Sequence, residues 1–170
     1  MKWIGAIFII MATSWAGVTA AKQYRERTRQ VRQLKVALQT LEAEIVYGLT
    51  PLNEASKKIA TMITYPLSEF FLRFAEKLSE GNRIVPEAWS DALNETIPMM
   101  SLGKSELEIL KQFGSTLGQH DREHQQKQIR LTLLHLEKEE AEAKDEQVRY
   151  EKMMKSLGLL GGLLIVILLI

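Results

Sequence analysis

The chain has 170 residues, enough for one domain with a genuine core and too few for two large ones. It has no cysteine, which excludes disulfides, thiol nucleophiles and thiolate metal sites. A formal charge of +1 argues against a general nucleic-acid binder.

Apolar residues make up 46% of the chain and gather at its two ends. Residues 3–21, between Lys2 and Lys22, carry no charge, and 19 residues are about the length of a bilayer-spanning helix. A cleaved signal peptide competes with this reading, with Lys2 as its n-region and Val18-Thr19-Ala20 as its cleavage site. The length of the run and the basic residues after it (Lys22, Arg25, Arg27, Arg29, Arg32 and Lys35) favour a retained anchor whose inner flank stays in the cytoplasm. The basic segment itself is expected to contact anionic lipid head groups or a partner.

Val31, Leu34, Leu38, Leu41 and Ile45 recur at spacings of three and four, which predicts a coiled-coil-like helix continuous with the first span. Gly48 ends it, and Thr50-Pro51 predicts the next helix start as N-cap and first-turn proline. Leu52, Ala55, Ile59 and Ile63 continue the helical period. Pro66 opens a helix with Leu67, Phe70, Phe71, Phe74 and Leu78 inward, closed by Gly81-Asn82. Pro86 opens another through Trp89, Leu93 and Ile97, ended by Pro98. Ser105-x-x-Glu108 reads as a capping box before Leu107, Leu110, Phe113 and Leu117, with Gly114 and Gly118 weakening and then ending that helix.

A last helix starts near His120, buries Ile129, Leu133 and Leu136, and continues as a charged, solvated helix laced with i,i+4 pairs. Residues 156–170 are apolar throughout and read as a second span, completed if Lys152 and Lys155 snorkel. The expectation is an all-α protein. Two transmembrane helices, 3–21 and 156–170, flank a cytoplasmic bundle of about six helices over 22–155, with both termini outside. Ala12, Ala16 and Ala20, and Gly158 and Gly162, form small-xxx-small rows that would pack the two spans together. Small residues are also simply common in such helices, and both readings stand.

Two strings invite a catalytic reading. His120-Asp121-Arg122-Glu123-His124 matches H-x-x-E-H, a zinc-ligand signature, and supplies the alternative of a membrane-tethered zinc hydrolase. The third ligand is missing, because Glu137 lies about 20 Å further along the same helix. Leu102-Gly103-Lys104-Ser105 ends like a phosphate-binding loop, but Pro98 stands where its first glycine belongs. No metal, cofactor or small-molecule substrate is expected, and a generic coiled-coil scaffold remains the other alternative.

The stretches RERTRQVRQL (25–34), LEAEIVYGLTPL (41–52) and KSELE (104–108), with Phe113-Gly114-x-x-Leu117-Gly118-x-x-Asp121-x-x-x-Gln125, carry a likeness. The chain closely resembles the stage III sporulation protein AB family of endospore-forming bacteria over essentially its whole length. The resemblance implies a non-enzymatic component of the machinery linking mother cell and forespore, placed in the mother-cell membrane around the forespore. It implies a domain similar to the helical cytoplasmic domains of type II secretion and type IV pilus platform proteins, which have two such domains where this chain has one. The implied partners are a sporulation secretion-type ATPase and other membrane proteins of the same channel complex. His120 and His124 are not part of the likeness. Arg25, Arg29, Arg32, Tyr47, Thr50 and Pro51 are the expected partner or membrane contacts.

Overall fold

The computed structural model describes residues 2–48, 50–81, 83–119 and 121–169. Of residues 2–14, 16–18, 20, 155, 159, 162, 163, 165, 166, 168 and 169 it describes the backbone only. Among the described residues there are six α-helices: α1 (Lys2–Ala43), α2 (Leu52–Met62), α3 (Leu67–Ser79), α4 (Val85–Thr96), α5 (Lys104–Thr116) and α6 (Arg122–Leu169). A π-helical turn, Glu44–Gly48, follows α1, and a 3-10 turn, Ile97–Met99, follows α4. The prolines and glycines punctuate as their chemistry requires. Pro86 sits in the first turn of α4, and Gly81 and Gly118 take positive φ angles of 73° and 78° just beyond α3 and α5.

The chain divides into two compact units. One comprises Met1–Thr28 with Glu142–Ile170, the other Arg29–Ala141. In the larger unit, Val31, Leu34, Leu38 and Leu41 of α1 lie on the same core as Ile59, Phe70, Phe74, Leu93, Leu110, Ile129 and Leu136. At its centre the Trp89 indole meets Phe70, Phe71, Phe74 and Phe113 edge-on, at centroid distances of 4.8 to 6.0 Å. Its Nε1–H donates to the Leu110 carbonyl at 2.9 Å, so the buried polar atom is satisfied. Gly114 makes room for this ring. A Cβ at Gly114 would lie 1.9 Å from Trp89 Cδ1.

The smaller unit is an antiparallel pair formed by the first part of α1 and the last part of α6. Its buried residues among the described side chains are small: Ala21, Thr28 and Ala143. Tyr24 stacks on Tyr150 at 4.3 Å and 11°.

Two expectations about helix starts are corrected. Ser105 lies inside α5 and does not cap it; Gly103 holds the N-cap position, and the Ser105 hydroxyl donates to Glu139 Oε1 of α6 at 2.6 Å. Thr50 does not cap α2 either, since Pro51 is the N-cap residue and the Thr50 hydroxyl donates back to Glu44.

The membrane reading is also corrected. Among the described residues no helix is long and apolar enough to cross a membrane. The two-span architecture and the multi-pass placement, with termini outside and the middle cytoplasmic, are therefore withdrawn. The C-terminal apolar run has 15 residues where about 20 are needed. The N-terminal run is interspersed with Thr13, Ser14, Gly17 and Thr19, and the Thr19 hydroxyl is turned onto the Trp15 carbonyl. Most side chains of both runs lie outside the described residues. So do Ala12, Ala16, Ala20 and Gly162 of the proposed packing rows; at Gly158 an added Cβ meets nothing within 4 Å.

Candidate interaction surface

The basic segment of α1 faces carboxylates of α6. In the smaller unit Arg25 Nε donates to Glu151 Oε1, and Arg27 Nη1 to Glu146 Oε2, each at 2.5 Å. The carboxylate beside it raises the Arg25 pKa. In the larger unit Arg32 Nε and Lys35 Nζ each donate to Glu140 at 3.0 Å, one to each oxygen. Burial pushes the Glu140 carboxyl up, but the hydrogen bonds from Lys35 and Arg32 outweigh it and hold the group below its ordinary value. Further along, Glu42 of α1 accepts from Arg130 at 2.8 Å and from Gln126 at 3.0 Å. In the charged run of α6, Glu140, Glu146 and Glu151 thus find partners on α1, which the expected i,i+4 pairing within one helix did not include.

Arg29 does something different. Its Nη1 donates to Thr64 Oγ1 at 3.0 Å and its Nη2 to the Tyr65 carbonyl at 3.3 Å. Gln33 reaches the same threonine at 2.7 Å, so two residues one helical turn apart tie the α2–α3 turn to α1.

Tyr47, Thr50 and Pro51 belong to a braced corner. The Glu44 carboxylate accepts from the Thr50 hydroxyl at 2.6 Å and is paired with Lys58 Nζ of α2. Hydrogen bonds from Lys58 and then Thr50 hold this carboxyl below its ordinary value. Thr50 N–H also donates to the Glu44 carbonyl at 3.3 Å. A Cβ at Gly48 would stand 2.9 Å from both Glu44 Oε2 and Thr50 Oγ1, so glycine leaves space for the clasp. On this corner Tyr47 is 78% exposed and Pro51 is exposed. An exposed aromatic on a fixed turn offers a partner a large contact area at small entropic cost.

The H-x-x-E-H string resolves into a helix start. Asp121 Oδ1 lies 2.9 Å from His124 Nδ1 and accepts from the His124 backbone N–H at 3.4 Å, as a capping carboxylate does. His120 lies outside the described residues. Among the described residues no group of three or more His, Asp and Glu side chains is placed to hold a metal ion.

The family model for stage III sporulation protein AB matches residues 2–170. The chain belongs to the stage III sporulation protein AB family. It is 52% identical over 169 residues to stage III sporulation protein AB of Bacillus subtilis (strain 168), covering 99% of each chain. A solved structure of a stage III sporulation protein AB superposes with a TM-score of 0.70 at 51% identity, covering 73% of this chain and 98% of that one. A role in sporulation follows from this membership.

The sequence missed the π-helical turn, the Glu44–Lys58 pair and the Gly114 cradle. For the pairing of α1 with α6 a signal was present. Basic residues at 25–35 are mirrored in reverse order by acidic residues at 137–151.

Proposed function

We propose that this family member is a non-enzymatic platform component of the mother cell–forespore channel apparatus, and that it docks a cytoplasmic secretion-type ATPase. The observation that carries the proposal is Tyr47, 78% exposed on a corner clasped by Glu44, Thr50 and Lys58. A corner held at both ends can receive a moving partner without itself rearranging. Arg29 and Arg32 belong to the same unit and hold its helices together, so they support docking indirectly. Other proteins of the channel complex would bind elsewhere on the chain.

The test is co-purification of the full chain with the ATPase. Tyr47→Ser is expected to lower recovery of the ATPase at least tenfold, to keep the melting temperature within about 2 °C, and to reduce spore yield. Unchanged recovery overturns docking by this corner. Arg25→Glu lies in the other unit and separates the alternatives. Loss with Arg25→Glu but not with Tyr47→Ser moves the docking surface to the basic helix.

A further inference from the structure

Thr50 and Pro51 carry two instructions, and the structure obeys one of them. As a pair they form a helix start signal, a threonine N-cap followed by a proline at the first helical position. Yet α2 begins at Leu52, Pro51 holds the N-cap position, and no side chain caps the helix. The Thr50 hydroxyl instead donates to Glu44 Oε2 at 2.6 Å, and the same carboxylate is paired with Lys58. Little separates this clasped arrangement from a capped one. The Pro51 φ of −55° already suits a helix, and its ψ of 141° keeps it outside. Rotating ψ into the helical range adds Pro51 to α2. It leaves Thr50, extended as a residue before proline prefers, in the capping position. Gly48, with no side chain, can absorb the compensating change. Lys58 has a second partner within reach, since the exposed Glu54 lies one turn before it on α2, the favourable order for an i,i+4 pair.

We infer that the corner between α1 and α2 is a two-state switch. In the clasped state Glu44 holds Thr50 and Lys58, α1 ends in its π turn, and Tyr47 is fixed for docking. In the capped state Thr50 Oγ1 accepts from the Asn53 backbone N–H and Pro51 joins α2. Lys58 then turns to Glu54, and the end of α1 is released. Each state satisfies the threonine and the lysine in a different way, so the two exclude each other. The regulatory role rests on the docking reading above; the switch itself does not. A partner that binds only the clasped state draws the population toward it, and its apparent affinity falls with the fraction of chains that are capped.

The experiment follows backbone amide hydrogen exchange in the full chain. Glu44→Ala removes the clasp and is expected to slow exchange of the Asn53 amide about fivefold, because the cap forms. Glu44→Ala/Thr50→Ala should lose that gain, while the amides of α4 and α5 exchange as in the native chain in both variants. Exchange at Asn53 that stays the same or quickens in Glu44→Ala overturns the inference, because loss of a purely structural clasp would fray the start of α2. So does a gain that survives removal of the Thr50 hydroxyl. Co-purification with the ATPase reads the regulation. Glu44→Ala should lower recovery about fivefold with Tyr47 in place, and adding Thr50→Ala should restore part of it, since the competing state is gone. No recovery, or a further loss, on adding Thr50→Ala overturns the regulatory role. If Tyr47→Ser leaves recovery unchanged, docking by this corner fails, and the amide exchange still decides the switch.

Discussion

At position 114 an ordinary helix former would be expected, yet the Trp89 ring fills the space a side chain would need. Ala in place of Gly gains up to about 1 kcal/mol of helix propensity, but overpacking against an indole costs about 1–3 kcal/mol. The displaced ring would also strain the Leu110 hydrogen bond. Gly114→Ala is therefore expected to destabilise the larger unit by about 2 kcal/mol, a fall in melting temperature on the order of 10 °C, checked by thermal denaturation. The sequence showed Gly114 only as a weak point in a helix. Its real reason lies 25 positions away, and no local pattern carries it. Gly118 was legible, because a glycine just past an apolar period marks a left-handed cap, and its φ of 78° has that cause.

Between elements, charge sets how α6 lies along α1. Glu140 is held below the ordinary carboxyl value of 4.5 by Lys35 and Arg32. A depressed folded-state pKa contributes stability that is present above the unfolded value and is lost as pH falls through the folded one. The native chain should thus lose melting temperature below about pH 4.5 more steeply than Glu140→Gln, whose curve lacks this component; parallel curves would remove Glu140 from the account. In the smaller unit, Arg25→Glu should weaken the helix pair, and Arg25→Glu/Glu151→Arg should recover most of the loss. A double-mutant cycle is expected to show a small favourable coupling between the two positions, as exposed pairs do. Helix existence was legible here, since apolar residues at three and four with Pro and Gly at the breaks leave little choice. Partners were not. Arg25 and Glu151 are 126 positions apart, and Ser105 bonds Glu139 where a local capping motif was the obvious reading.

For the whole molecule, the division of labour is uneven. Every large buried side chain among those described belongs to residues 29–141, while the other unit buries Ala21, Thr28 and Ala143. A fragment of residues 29–141 is accordingly expected to fold cooperatively and to melt within a few degrees of the intact chain, measured by circular dichroism. A broad, non-cooperative transition would show that the core needs the second unit. The helical character of the described residues was readable from apolar period and from Pro and Gly at the breaks, but the two-span architecture built on it was not correct. The two apolar ends were read as spans from length, lack of charge and basic flanks, but among the described residues no helix is long and apolar enough to cross a membrane. Of the candidate surface, Tyr47 and Pro51 were legible as a helix break, but the Glu44–Thr50–Lys58 clasp was not, because a π turn leaves no periodic trace.

The Trp89 cradle also has an optical consequence. The chain has three tryptophans, at positions 3, 15 and 89, so the fragment 29–141 retains one. That indole is dry, ringed by phenylalanines and bonded to a carbonyl. Its emission should be blue-shifted in the native state and move to the red when water reaches the ring. The side chain that organises the core is thus a built-in fluorophore for its unfolding, and no dye or label is needed to follow it.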